Sequence, residues 1–146
     1  MNINNSLSYF SSTTRLVTIN NYDWSTTSYS GTYIHFKTNI PSNSYVMFRA
    51  EAVGINYPNA APIRCVWSGY AHPAAIYNIG VQDAASGLNA HGVYYSSDYY
   101  IVLRGYASAL GDSSLTLNFI HANPTGYGFS TQITAANQNN TSGNYY

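Results

Sequence analysis

Residues 44–73, SYVMFRAEAVGINYPNAAPIRCVWSGYAHP, set Arg49, Glu51 and Arg64 within the most strand-like part of a chain that otherwise avoids charge. A carboxylate between two guanidinium groups can hold a substrate, serve as a base or lock two strands in register. The remaining groups able to do chemistry are His35, His72, His91 and His121, the acids Asp23, Asp83, Asp98 and Asp112, and Cys65. Each mechanism these residue types could support demands a particular arrangement, and those demands can be tested in turn.

Serine hydrolysis of the nucleophile-elbow kind needs G-x-S-x-G, which the chain lacks. The histidines form no H-x-H pair and no helical H-x-x-x-H, so a zinc or iron site would have to gather its ligands from separate loops. Calcium needs several carboxylates close together, and DAASG and GDSS supply one each, as turns do. Glycoside hydrolysis needs two carboxylates across a cleft. Of the five acids, only Glu51 falls within a predicted strand, and Arg49 sits two residues away on its own face. Such an acid is expected to be paired and ionised rather than poised to donate a proton. No phosphate-cradling loop is present. The expectation is a protein that is not an enzyme and carries no metal or cofactor.

Aromatic residues offer a second type of site. YDW contributes Tyr22 and Trp24, and YYSSDYY contributes Tyr94, Tyr95, Asp98 and Tyr99. Exposed Tyr and Trp faces beside hydrogen-bonding side chains suit a sugar ligand. The same composition suits subunit packing and half-buried sheet tyrosines.

The elements that position these residues follow from composition and periodicity. A chain of 146 residues is one domain with room for a single core. Only 7% of residues are charged, with zero net charge, against about a quarter in ordinary domains. Lys37 is the single lysine, so the basic patch that a nucleic acid requires is missing. One cysteine excludes an intrachain disulfide. MNINNSLSYF has neither the basic nor the apolar region of a secretory signal, and no apolar run approaches the length of a membrane span. Synthesis in a cytoplasm without membrane insertion is expected.

Helical periodicity is weak, and short β-rich runs recur between Gly, Pro, Asn, Asp and Ser clusters. Strands are predicted near Thr13–Asn20, Thr32–Thr38, Tyr45–Ile55, Ile63–Ala71, Ile76–Val81, Gly92–Tyr95, Tyr99–Ala107 and Ser114–His121, with a further extended piece near Gly128–Thr134. This spacing reads as a single all-β domain, an antiparallel, jelly-roll-like β-sandwich of about eight strands, with short polar tails. Alternation puts Phe48, Ala50 and Ala52, then Ile63, Cys65 and Trp67, then Leu115 and Leu117 on core faces. Arg49, Glu51, Arg64 and Arg104 fall on the opposite faces. The loop NYPNAAP has a length that closes a hairpin. Glu51 and Arg64 are then expected to meet across it and fix its register, with Arg104 adding a second cation.

The segments HFKTNIPSNSYVMFRAEAVGINY, PIRCVWSGYA, IYNIGVQ, GLNAHGVYYSSDYYIVLRGYAS and LTLNFIHA resemble a small β domain of tailed-phage structural proteins, especially those of marine cyanophages. In those proteins the domain often forms part of tail fibres or other virion appendages. The resemblance spans roughly residues 32–122 and rests on a run of strands, so it brings no catalytic residues. It implies a virion protein that assembles as a homo-oligomer, with a trimer favoured. Its implied partners are other virion proteins and a host surface glycan. The chain shows no long N-terminal shaft, which leaves a fibre tip, an appendage, a capsid decoration protein and a stand-alone lectin-like module as alternatives.

Overall fold

A computed structural model describes residues 7–10, 16–26, 31–56, 60–83, 87–108 and 113–122. Among these described residues nine strands run in chain order: β1 Leu7–Phe10, β2 Leu16–Thr26, β3 Thr32–Pro41, β4 Met47–Asn56, β5 Ala61–His72, β6 Ala75–Asp83, β7 Leu88–Tyr95, β8 Tyr100–Ala107 and β9 Ser113–Ala122. The predicted piece near Gly128–Thr134 lies outside the described residues. Among those residues no helix is long and apolar enough to cross a membrane.

The strands form two antiparallel sheets, a larger one ordered β1-β2-β9-β4-β5-β6 and a smaller one ordered β3-β8-β7. The chain passes from β2 in the large sheet to β3 in the small one and back to β4, and β9 returns to lie between β2 and β4. This crossing between sheets has the manner of a jelly roll. By contrast, β4, β5 and β6 make a meander within one sheet. The all-β sandwich expected from alternation is what forms, with one more described strand than the eight expected.

Period-two patterning builds the core. On β5, Ile63, Cys65, Trp67, Gly69 and Ala71 are buried while the residues between them are not. Phe48, Ala50 and Ala52 of β4 and Leu115 and Leu117 of β9 continue this inner face. From the small sheet come Ile34, Phe36 and Ile40 of β3, Leu88 of β7, and Ile101, Leu103 and Ala107 of β8. Ala50 is the register partner of Trp67, so a small residue lies beside the largest one and leaves space for the indole. Phe36 meets that indole edge-on at 5.9 Å from the opposite sheet. The indole Nε1 donates to the Arg104 carbonyl at 3.0 Å, which ties the two sheets together through a satisfied polar atom.

One end of the sandwich gathers three connections. The β3–β4 link is a single 3-10 turn, Ser42–Ser44, ending at Tyr45. Pro73 and Ala74 join β5 to β6, and Ser96 to Tyr99 join β7 to β8. Backbone bonds bind these turns together: Ser42 N–H donates to the Tyr99 carbonyl at 2.8 Å, and Ala71 N–H donates to the Val46 carbonyl at 2.8 Å.

Candidate functional site

The charged residues of the opening stretch form a closed cluster. Arg64 Nε donates to Glu51 Oε1 at 2.6 Å, and Arg49 donates to Glu51 Oε2 at 3.0 Å. Glu51 and Arg64 meet diagonally, because the register pairs Glu51 with Val66 and Arg64 with Val53. The Glu51 side chain is only 16% exposed, while Arg64 is 59% exposed. Burial would raise the Glu51 pKa, but the hydrogen bonds and charges of Arg64 and Arg49 outweigh it and hold the carboxyl below its ordinary value. An acid kept ionised in this way has no proton to give at neutral pH.

Arg104 does not join this cluster. It lies on β8 in the small sheet, so the expectation of a second cation on the same face is corrected. Alternation gives its outward parity but carries no information about which sheet β8 enters. Its guanidinium instead sits over the Tyr33 ring at 5.8 Å. Tyr33 also packs edge-on against His91 and at a 54° tilt against Tyr106, each at 5.0 Å. The fully buried His35 shares a 2.9 Å hydrogen bond between Nδ1 and the Tyr94 hydroxyl. Two further acids lie in strands, Asp23 in β2 and Asp83 at the end of β6, where Glu51 alone was expected. Polar runs such as NNYDWST conceal the length of β2. Among the described residues no three His, Cys, Asp or Glu side chains come together as a metal site would require.

The aromatic residues of YYSSDYY separate into different roles. Tyr95 points inward, and its hydroxyl binds the backbone of His72, accepting from N–H at 3.0 Å and donating to the carbonyl at 2.9 Å. Tyr94 faces the other way, toward His35. Asp98 is gripped by Lys37, at 2.6 and 2.8 Å, and by the Ser96 hydroxyl at 2.5 Å. Those bonds, Lys37 first, keep its pKa low. Tyr99 is 67% exposed, with φ at 65°. Its N–H closes the hydrogen-bonded Ser96–Tyr99 turn, and it takes the left-handed position where hairpins favour Gly. Tyr22 and Trp24 are the register partners of Leu117 and Leu115, and their side chains lie outside the described residues.

Periodicity does not reveal another cluster at the same end. Tyr45 meets His72 edge-on at 5.4 Å, Tyr77 lies tilted against the same imidazole at 5.4 Å, and Tyr70 is 6.4 Å away. Tyr45 is 57% exposed and Tyr77 46%. Tyr45 holds φ 53° and ψ 37°, a left-handed conformation that is costly for a bulky residue. Asn78, beside Tyr77, has φ 53° at an irregularity where β6 slips against β5. These residues come from three segments, brought together by the β5–β6 register, which pairs Tyr70 with Tyr77, and by the turn that carries Tyr45. The recurrence of Tyr near His72 was the one visible hint.

A recess of about 90 Å³ lies among Arg64, Val66, Gln82 and Asp83. It is well below the roughly 300 Å³ at which small-molecule pockets begin. The tyrosine-bearing end is therefore the stronger candidate for a contact surface. Comparison with family models, with curated proteins and with solved structures finds no match to this chain.

Proposed function

We propose that this chain is a non-enzymatic structural module of a phage virion, akin to a tail-fibre tip or appendage. In this reading it assembles as a homo-oligomer, with a trimer favoured, and contacts the host surface or neighbouring virion proteins through its tyrosine-bearing end. The virion assignment is supported by the resemblance of residues 32–122 to such domains.

One structural observation carries the choice of surface. Tyr45 and Tyr99 are both exposed, both hold left-handed backbone, and belong to turns tied to each other by the Ser42–Tyr99 bond. Strained, exposed aromatic residues on well-anchored turns give contact area at little further ordering cost on binding. The pairing of Glu51 with two arginines favours a structural role for the charge cluster over general acid catalysis.

Mass spectrometry of purified virions tests the assignment, with the chain expected at a stoichiometry that is a multiple of its oligomer number. Absence from the particles overturns it. Recovery as a capsid-wide component favours the decoration reading over a tail appendage.

A further inference from the structure

We infer that Tyr45, His72 and Tyr77 form a binding site for a neutral pyranose sugar. The inference rests on the attachment reading for the source of the glycan, and names the ligand class for that surface.

The chemistry begins with the imidazole. Ala74 N–H points at His72 Nδ1 from 3.3 Å, so Nδ1 is the accepting nitrogen. In the neutral ring the proton then sits on Nε2, which becomes a donor. Among the described residues Nε2 has no hydrogen-bond partner, and neither do the hydroxyls of Tyr45 and Tyr77. Two half-exposed phenol rings thus pack against the imidazole that carries this unused N–H.

Ring geometry gives the site a shape. Tyr45 stands at 89° to the imidazole, and Tyr77 is inclined to it at 59°. The result is an aromatic corner rather than a flat patch. A pyranose has an apolar C–H face that packs on a ring and a rim of hydroxyls that accept and donate. Ring faces beside a few placed polar groups match both parts of it.

Other ligand classes fit less well. A quaternary ammonium needs ring faces with no competing donor, and the Nε2 proton opposes a cation. A phosphate needs clustered cations, and the chain's one lysine, Lys37, is paired with Asp98. Among the described residues no carboxylate or guanidinium bonds to or stacks on the rings of Tyr45, His72 and Tyr77, which favours an uncharged sugar.

The site is held from below. Tyr95 fixes the His72 backbone, and the Val46–Ala71 bond fixes the segment that carries Tyr45. Such support keeps a contact surface in one geometry before its ligand arrives.

The test uses the full chain against an array of bacterial surface polysaccharides, with maltohexaose, cellohexaose, mannohexaose and galactohexaose as soluble probes. Saturation-transfer NMR is expected to show contact with at least one probe, and its titration to shift Tyr45, His72 and Tyr77 resonances. Tyr77→Ala and Tyr45→Gly are expected to weaken that binding about tenfold or more. Tyr45→Gly removes the ring at a position Gly prefers, so the melting temperature should hold or rise. A blank array with silent probes overturns the inference, as does binding that both variants retain. A blank array on a chain found in virions removes the sugar site and leaves the attachment reading. Sugar binding by a chain missing from virions does the reverse.

Discussion

The Tyr95 hydroxyl lies 3.0 Å from the amide nitrogen of His72 and 2.9 Å from its carbonyl oxygen, so one side chain of the small sheet closes both backbone groups of the last β5 residue. This bridge spans the two sheets at the end where the exposed tyrosines gather. Burial pushes the Tyr95 phenol upward, only partly offset by its bond to the His72 backbone, so the O–H donor persists across neutral pH.

Tyr95→Phe leaves the His72 N–H without its acceptor in a half-buried position. The expected cost is about 1–2 kcal/mol of stability, measured by denaturant unfolding. Hydrogen exchange should accelerate at His72 and Ala75 while the amides of β4 and β9 keep their protection. Uniform acceleration across the sandwich would mean that Tyr95 supports the whole fold rather than this turn.

Cys65 supplies a separate check on the core. Burial, with the nearby charge of Asp83 adding to it, pushes its thiol up to about 12, and its Sγ donates to the Leu88 carbonyl at 3.1 Å. Since the thiolate is the reactive form, the native protein should resist iodoacetamide at pH 8 and label at the rate of unfolding. Rapid labelling of folded protein would place Cys65 outside the core.

These residues also show how far a sequence can be read. Cys65, Trp67 and Ala71 alternate with less buried neighbours, and the Glu51 cluster follows from two residues on one strand facing a hairpin partner. The β7 strand begins at Leu88 rather than Gly92 because the irregularity between Ala90 and Gly92 breaks alternation in LNAHG. Arg104 was placed on the wrong sheet because parity is a property of one strand, whereas sheet membership depends on long-range pairing. The Tyr45–His72–Tyr77 corner stays hidden for a related reason. Tyr45 stands 27 residues before His72 in the chain, and Tyr is not a residue that announces a left-handed turn.

Gly69 tests the packing between β5 and its surroundings. A Cβ built there would meet Ile76 Cγ2 at 2.9 Å and the Phe48 ring at 3.0 Å. Neither neighbour is the loose end of a flexible chain, so Gly69→Ala should cost about 1–3 kcal/mol through overpacking. Ile76→Ala removes the Cγ2 methyl, so the double variant Gly69→Ala with Ile76→Ala should cost less than the sum of the two single changes. Identical melting temperatures for wild type and Gly69→Ala would show that the β5–β6 pair opens more easily than its contacts suggest.

Glu51 yields the most direct link between charge and stability. Its folded pKa lies below the ordinary glutamate value because Arg64 and Arg49 hold the ionised form against the opposing effect of burial. A depressed folded pKa means that the unfolded chain takes up a proton first as the pH falls. The stabilisation is therefore complete above the unfolded value of about 4.3 and disappears as the pH falls through the lower, folded value. Glu51→Gln should be less stable than wild type by about 1 kcal/mol at pH 7, since the exposed Arg64 is strongly screened by solvent. That difference should shrink below pH 4 and in 1 M salt. Thermal melts at pH 3, 5 and 7, with and without salt, would reveal it. A constant gap at every pH would mean that the amide fails for reasons of shape, and that the two arginines contribute no charge-dependent stability to the β4–β5 register.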